Sequence, residues 1–119
     1  MEFCSDFRYD LEVGQLAEHA LANLLVNKRI EVKSDKRAHR TGQVFVEYES
    51  RGKPSGIATT QADYYCFEVQ GTFILVSVPR LKIIARNYIN TAKDIRGGDN
   101  NTSKGILLPI ADLLNEPTG

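Results

Sequence analysis

Only two cysteines occur in the 119 residues, Cys4 near the start and Cys66 inside an apolar run. Two thiols so placed make neither a disulfide framework nor a metal-ligand pair at zinc spacing, which points to a reducing, intracellular setting. No stretch approaches the roughly eighteen consecutive apolar residues of a membrane helix. The first ten residues, Met1 to Asp10, are acidic and polar rather than signal-like. The expectation is a soluble, cytoplasmic protein with no membrane partner. Net charge is also missing: fifteen basic and fifteen acidic side chains cancel, which argues against a general basic coat for nucleic acid. There is no internal repeat, and no Walker-type lysine-serine pair follows the glycines between residues 50 and 63.

What is present is ordinary in amount and uneven in placement. A 42% hydrophobic and 25% charged chain of this length predicts a single domain, residues 1–119, able to bury one core. Residues 1 to 27 carry one basic and five acidic groups. Residues 28 to 53 reverse this, with eight basic groups against four acidic ones, and the remainder balances six against six. The positive excess therefore surrounds a short acidic segment.

Val13, Leu16, Ala17, Ala20, Leu21 and Leu24 recur at helical spacing and predict an amphipathic helix over residues 13 to 26, with Glu18 at the edge of its apolar stripe. Lys28 to Asp35 predicts a first strand. Lys36 to Gly42 is a polar, basic connection, and Gln43 to Glu49 predicts a second strand. Residues 51 to 56 read as a loop. Tyr64 to Val69 and Thr72 to Val78 predict a β-hairpin about Gln70-Gly71. Pro79 opens a helix running to about Asn90. Asp94 to Lys104 predicts a mobile loop by composition, Ile106 to Leu108 a short edge strand, and the residues after Pro109 a final helical turn. The order α-β-β-β-β-α-β-α predicts an α/β sandwich around one mixed sheet.

Successive side chains of a strand point to opposite faces. A hairpin of the first two strands would therefore set Glu31, Lys33 and Asp35 near Glu47 and Glu49, with Ile30, Val32, Val44, Val46 and Tyr48 packing behind. Like charges across a ladder repel. A cation relieves that repulsion, and an oxygen-rich set of this kind suits Mg²⁺ or Mn²⁺.

The pattern Gly14-x-x-x-Glu18 on a first helix, an acid ending the first strand at Asp35, and Glu47-x-Glu49 on the next strand resembles the PD-(D/E)XK, or restriction endonuclease-like, nuclease superfamily. The resemblance spans roughly residues 10 to 78. It implies an αβββαβ core with a central mixed sheet flanked by helices, and Mg²⁺-dependent hydrolysis of phosphodiesters in DNA. It also implies Asp35 and Glu47 as metal ligands, with Glu18 as the helix-borne acid supporting them. Where the superfamily most often has lysine this chain has Glu49. Lys33 is a candidate for a migrated lysine, Lys53 another. A competing register treats Glu31-Val32-Lys33 itself as the (D/E)XK element. Lys36, Arg37, Arg40, Arg51 and Lys53 are the expected contacts to phosphate, and small folds of this kind often act as homodimers.

Each residue has a plain alternative. Glu18 is a solvated helix residue, Glu31 with Lys33 and Glu49 with Arg51 are exposed ion pairs, and Tyr48, Tyr64 and Tyr65 are core or sheet-covering residues. Ser55, Thr59, Thr60 and Asp63 form either a substrate-contacting wall or a structural connection. At the level of the whole chain, the alternative to a nuclease is a noncatalytic nucleic-acid- or protein-binding module on a degenerate nuclease fold.

Overall fold

The computed structural model describes residues 19, 20 and 22–115. Within the expected first helix, residues 19–20 and 22–25 are helical, while Glu18 and the residues before it lie outside the described residues. Strand β1 (Ile30–Ser34) is followed by the single helical turn α1 (Ala38–Thr41), then by β2 (Gln43–Ser50) and the short β3 (Lys53–Pro54). A 3-10 turn (Gly56–Ala58) leads to β4 (Tyr64–Val69), β5 (Thr72–Ser77) and helix α2 (Val78–Arg86). Strand β6 (Asp94–Gly97), a 3-10 turn (Asp99–Asn101), strand β7 (Ser103–Pro109) and helix α3 (Ile110–Leu114) complete the described chain.

The protein is mixed α/β, but its strands form two sheets where one was expected. One has the order β1-β4-β5, with β1 parallel to β4 and β4 antiparallel to β5. The other, β3-β2-β7-β6, is antiparallel throughout. The hairpin β4–β5 follows the sequence expectation, because Gln70 and Gly71 both take positive φ, 50° and 82°, as a tight two-residue hairpin turn requires. Helix α2 also starts where Pro79 predicts, with the Ser77 hydroxyl accepting from the Arg80 N–H. Its helical hydrogen bonding ends at Arg86, and residues 87–90 are turn.

Four further expectations are corrected. β1 and β2 do not pair, because the connection between them is no tight turn: it buries Ala38 in α1 and closes with a left-handed Gly42 that sends the chain into the other sheet. Ile30 and Val32 do not pack behind Val44 and Val46. They lie on the outward face, Val32 at 60% exposure, while Val44 and Val46 are buried against β7. The segment 94–104 is not simply a loop, since β6 pairs with β7 from Asp94↔Ile106 to Gly97↔Ser103. β7 is no edge strand either, being flanked by β2 and β6. Composition alone hides this pairing, because Gly98, Asn100 and Asn101 belong to the turn and not to the strands it joins.

Val44 opposite Leu108 and Val46 opposite Ile106 bring four of the most deeply buried side chains into one ladder. Phe67 and Leu81 complete that core from β4 and α2. Burying each such side chain contributes about 1.5–3 kcal/mol, so this non-local ladder outweighs a local β1–β2 hairpin. No helix among the described residues is long and apolar enough to cross a membrane.

Candidate functional site

Strand alternation puts Glu31 and Lys33 on the same face of β1, one pleat apart. Their side chains meet, with Lys33 Nζ 2.7 Å from Glu31 Oε2. The other Glu31 oxygen accepts from the Thr60 hydroxyl at 3.1 Å, and Thr60 in turn accepts from the Ala62 N–H. The parallel register sets Tyr65 opposite Glu31 and Phe67 opposite Lys33. The Lys33 ammonium therefore lies 5.8 Å from the centre of the Tyr65 ring, and Tyr65 meets Phe67 edge to face.

The charges act on one another. The hydrogen bond from Lys33 holds the Glu31 carboxyl below its ordinary range, and the same bond holds the Lys33 ammonium above its own, with Glu47 adding to the latter effect. Burial first, then the nearby Glu31 and Glu47 charges, push the Tyr65 phenol up and keep it neutral. Its hydroxyl is buried and has no well-formed hydrogen bond among the described residues.

Glu47 reaches the group from the other sheet. The Ser55 hydroxyl donates to Glu47 Oε2 at 2.9 Å, while the Ser55 N–H donates to the Tyr48 carbonyl. This loop sits so close because residue 56 is glycine. A Cβ there would stand 2.3 Å from the Glu47 carbonyl oxygen, and φ is +51°. Glu49 is aimed differently from Glu47. The β2–β7 register slips between them, which places a bulge at Tyr48 and breaks the strict alternation that would aim the two acids alike. Glu49 acts instead on Tyr48, whose hydroxyl donates to Asp94 at 2.6 Å. Burial pushes the Asp94 carboxyl up, but hydrogen bonds from the Asn90 N–H and from Tyr48, with the Lys104 charge, hold it low on balance.

Asp35 has a different engagement. One of its oxygens accepts from the Arg37 N–H at 2.9 Å and the other from the Phe45 N–H at 3.3 Å, so its carboxylate ties the end of β1 to the beginning of β2. Beside it lies a hollow of about 320 Å³ lined by Lys33, Asp35, Lys36, Arg37, Phe45 and Phe67. Lys36, Arg37 and Arg40 are exposed around α1, whereas Arg51 and Lys53 are exposed at the far end of β2. The expected basic rim is thus two groups separated by an eight-residue strand, about 25 Å at roughly 3.3 Å per residue. A second cleft of about 280 Å³, between β2 and α2, is walled by Val46, Ile57, Ala85 and Ile106 with Lys82 and Arg86 also lining it, and offers no carboxylate.

Among the described residues no group of three or more His, Cys, Asp or Glu comes together at metal-holding distance. Mg²⁺ asks for less, since one or two carboxylates with water and a substrate phosphate complete its shell. Of the expected ligands, Asp35 lines the hollow, Glu47 acts on Lys33 from the other sheet, and Glu18 lies outside the described residues.

Tyr65 is the member whose polar role the amino-acid pattern leaves undistinguished, while Thr60 and Ser55 belong to the segment expected to be either a substrate-contacting wall or a structural connection. Tyr65 is a core residue, as expected of it, yet its hydroxyl belongs to the charged group. Thr60 is 29 positions from Glu31 in the chain, and only the β1–β4 register brings them together. No family model, curated protein or solved structure matches this chain.

Proposed function

We propose that this chain is a Mg²⁺-dependent phosphodiesterase that cleaves DNA on a restriction endonuclease-like core. The observation that carries this reading is the Lys33 ammonium, held at 2.7 Å by Glu31 and within electrostatic reach of Glu47, lining the hollow shared by Asp35, Lys36 and Arg37. Phosphodiester hydrolysis builds negative charge on the nonbridging and leaving oxygens. Lys33, Lys36 and Arg37 supply positive charge where such a group would enter. Asp35 and Glu47 are the metal ligands in this reading and Glu18 supports them. Bound Mg²⁺ would neutralise phosphate charge and acidify an attacking water. Glu49, at the position where the resembling superfamily has lysine, acts on Tyr48, and Lys33 takes the lysine's part from the first strand.

Calorimetric titration with Mg²⁺ and Mn²⁺ should show binding that weakens at least tenfold in Asp35→Ala and Glu47→Ala. Supercoiled, single-stranded and branched DNA should be cut only with metal, and by neither variant. Unchanged metal binding in both variants removes the proposed ligands.

A second reading, a noncatalytic DNA-binding module, draws on two observations. Both Asp35 oxygens already accept backbone hydrogen bonds, and Glu49 acts on Tyr48 rather than on the Lys33 group. Salt-dependent DNA binding without cleavage under any divalent ion is the outcome that selects it.

A further inference from the structure

Tyr65 poses a physical problem that the proposed reaction does not use. Its side chain is 2% exposed and its hydroxyl has no well-formed hydrogen bond among the described residues, although Thr60 and Glu31 lie beside it. A buried hydroxyl without a partner costs free energy, and folds retain such groups where something else satisfies them. Above the ring sits Lys33, whose side chain is 47% exposed and whose partner Glu31 is 36% exposed. An ion pair so open to water contributes little, so an incoming anion can draw Lys33 away from Glu31 at small cost. That movement takes the lysine off the face of the Tyr65 ring.

We propose that Lys33 and Tyr65 together form a phosphate-oxygen subsite, in which the lysine supplies the charge and the buried hydroxyl donates the second hydrogen bond once the Glu31–Lys33 pair has opened. The neighbourhood favours a donor role. Glu31 and Glu47 disfavour a phenolate, so Tyr65 keeps its proton and can offer it to an anionic oxygen. Lys36 and Arg37, lining the hollow beside Lys33, draw the anion to the place where the pair opens. This subsite rests on the reading of the hollow as a phosphodiester site, and it specifies which groups hold the nonbridging oxygen.

The test omits both metal and long DNA, so that it stands apart from cleavage. Inorganic phosphate and a DNA dinucleotide are titrated separately into the wild-type protein, Tyr65→Phe, Lys33→Gln and the double variant, in the presence of a chelator. Tyr65→Phe should weaken binding of the dinucleotide about tenfold, because a hydrogen bond to a charged acceptor is lost. The two single losses should sum to more than the double loss, as expected when the donors share one oxygen. Thermal stability should hold or rise in Tyr65→Phe, since the hydroxyl removed lacked a well-formed bond. A purely structural tyrosine would behave the opposite way, losing stability and keeping affinity. Equal phosphate and dinucleotide affinities in wild type and Tyr65→Phe overturn the proposal, and weakening for inorganic phosphate alone redirects it to free phosphate. Should the variant fail to fold, fluorotyrosine-labelled wild-type protein decides, with a Tyr65 resonance unmoved by either ligand overturning it. Metal-dependent cleavage that survives while the subsite fails, or a subsite that binds without cleavage, separates this inference from the proposed activity.

Discussion

Tyr48 keeps its proton far into the alkaline range because its hydroxyl donates to Asp94 at 2.6 Å, with burial and the Asp94 and Glu49 charges adding to the effect. Its phenol is pushed up to about 12 from an ordinary 10.0. The sign follows from linkage: a group whose folded pKa is raised contributes stability that is complete below pH 10 and is lost as pH climbs toward about 12. The difference in phenolate absorbance between wild type and Tyr48→Phe should therefore titrate near 12, and Asp94→Asn should bring it back toward 10. Tyr48→Phe should also cost about 1 kcal/mol in urea unfolding at neutral pH. A Tyr48 that titrates at its ordinary value would mean that the bond to Asp94 does not form in solution. The sequence identified Tyr48 as a strand residue and not its acid, because the two lie 46 positions apart. Glu31 and Lys33 were legible as a pair, since same-face neighbours on one strand need only the alternation rule.

At the scale of elements, the 3-10 turn and β2 are held together by a close backbone approach and by two hydrogen bonds from Ser55. Gly56 lets the turn lie against the Glu47 backbone and so presents the Ser55 hydroxyl to the Glu47 carboxylate. Gly56→Ala forces a Cβ to within 2.3 Å of a carbonyl oxygen at a φ of +51°, and the turn must lift. The expected cost is about 2 kcal/mol or more in chemical denaturation, from backbone strain and the lost contact together. Metal binding should weaken in the same variant if the Ser55 hydrogen bond orients Glu47, whereas Ser55→Ala should weaken metal binding with less loss of stability. A Gly56→Ala protein as stable as wild type would show that the turn does not rest on β2. The strands themselves were readable from alternation and β-branched content, and β4 and β5 even in their pairing, since two turn residues at positive φ settle that register locally. β6 was not readable, because its four residues include a glycine and an aspartate and find their strand partner in β7.

For the molecule as a whole, charge placement bears on how a nucleic acid would lie. Lys36, Arg37 and Arg40 sit before β2, and Arg51 and Lys53 follow it, so a duplex touching both groups spans the strand's length of about 25 Å, roughly seven base pairs. Binding of a short duplex, followed over a range of salt, should show a steep slope. Arg37→Ala and Arg51→Ala should each reduce that slope by about 1 with little change in sequence preference. A slope unaffected by Arg51→Ala confines the footprint to the α1 end and removes the far group from the interface.

By itself the sequence determined that β1, β2, β4, β5 and β7 extend, where the β4–β5 turn falls and which side chains carry charge, because each depends on a few neighbouring positions: a period of two, a Gln-Gly turn, a proline opening a helix. Only the tertiary structure decided that β1 joins β4 and that β2 joins β7, that a bulge parts Glu49 from Glu47, and that Tyr65 lies under Lys33. Strand partners are chosen by how much apolar surface they bury together, and here the winning contacts, Val44 with Leu108 and Val46 with Ile106, join residues sixty or more positions apart. No local pattern encodes a competition decided over that distance.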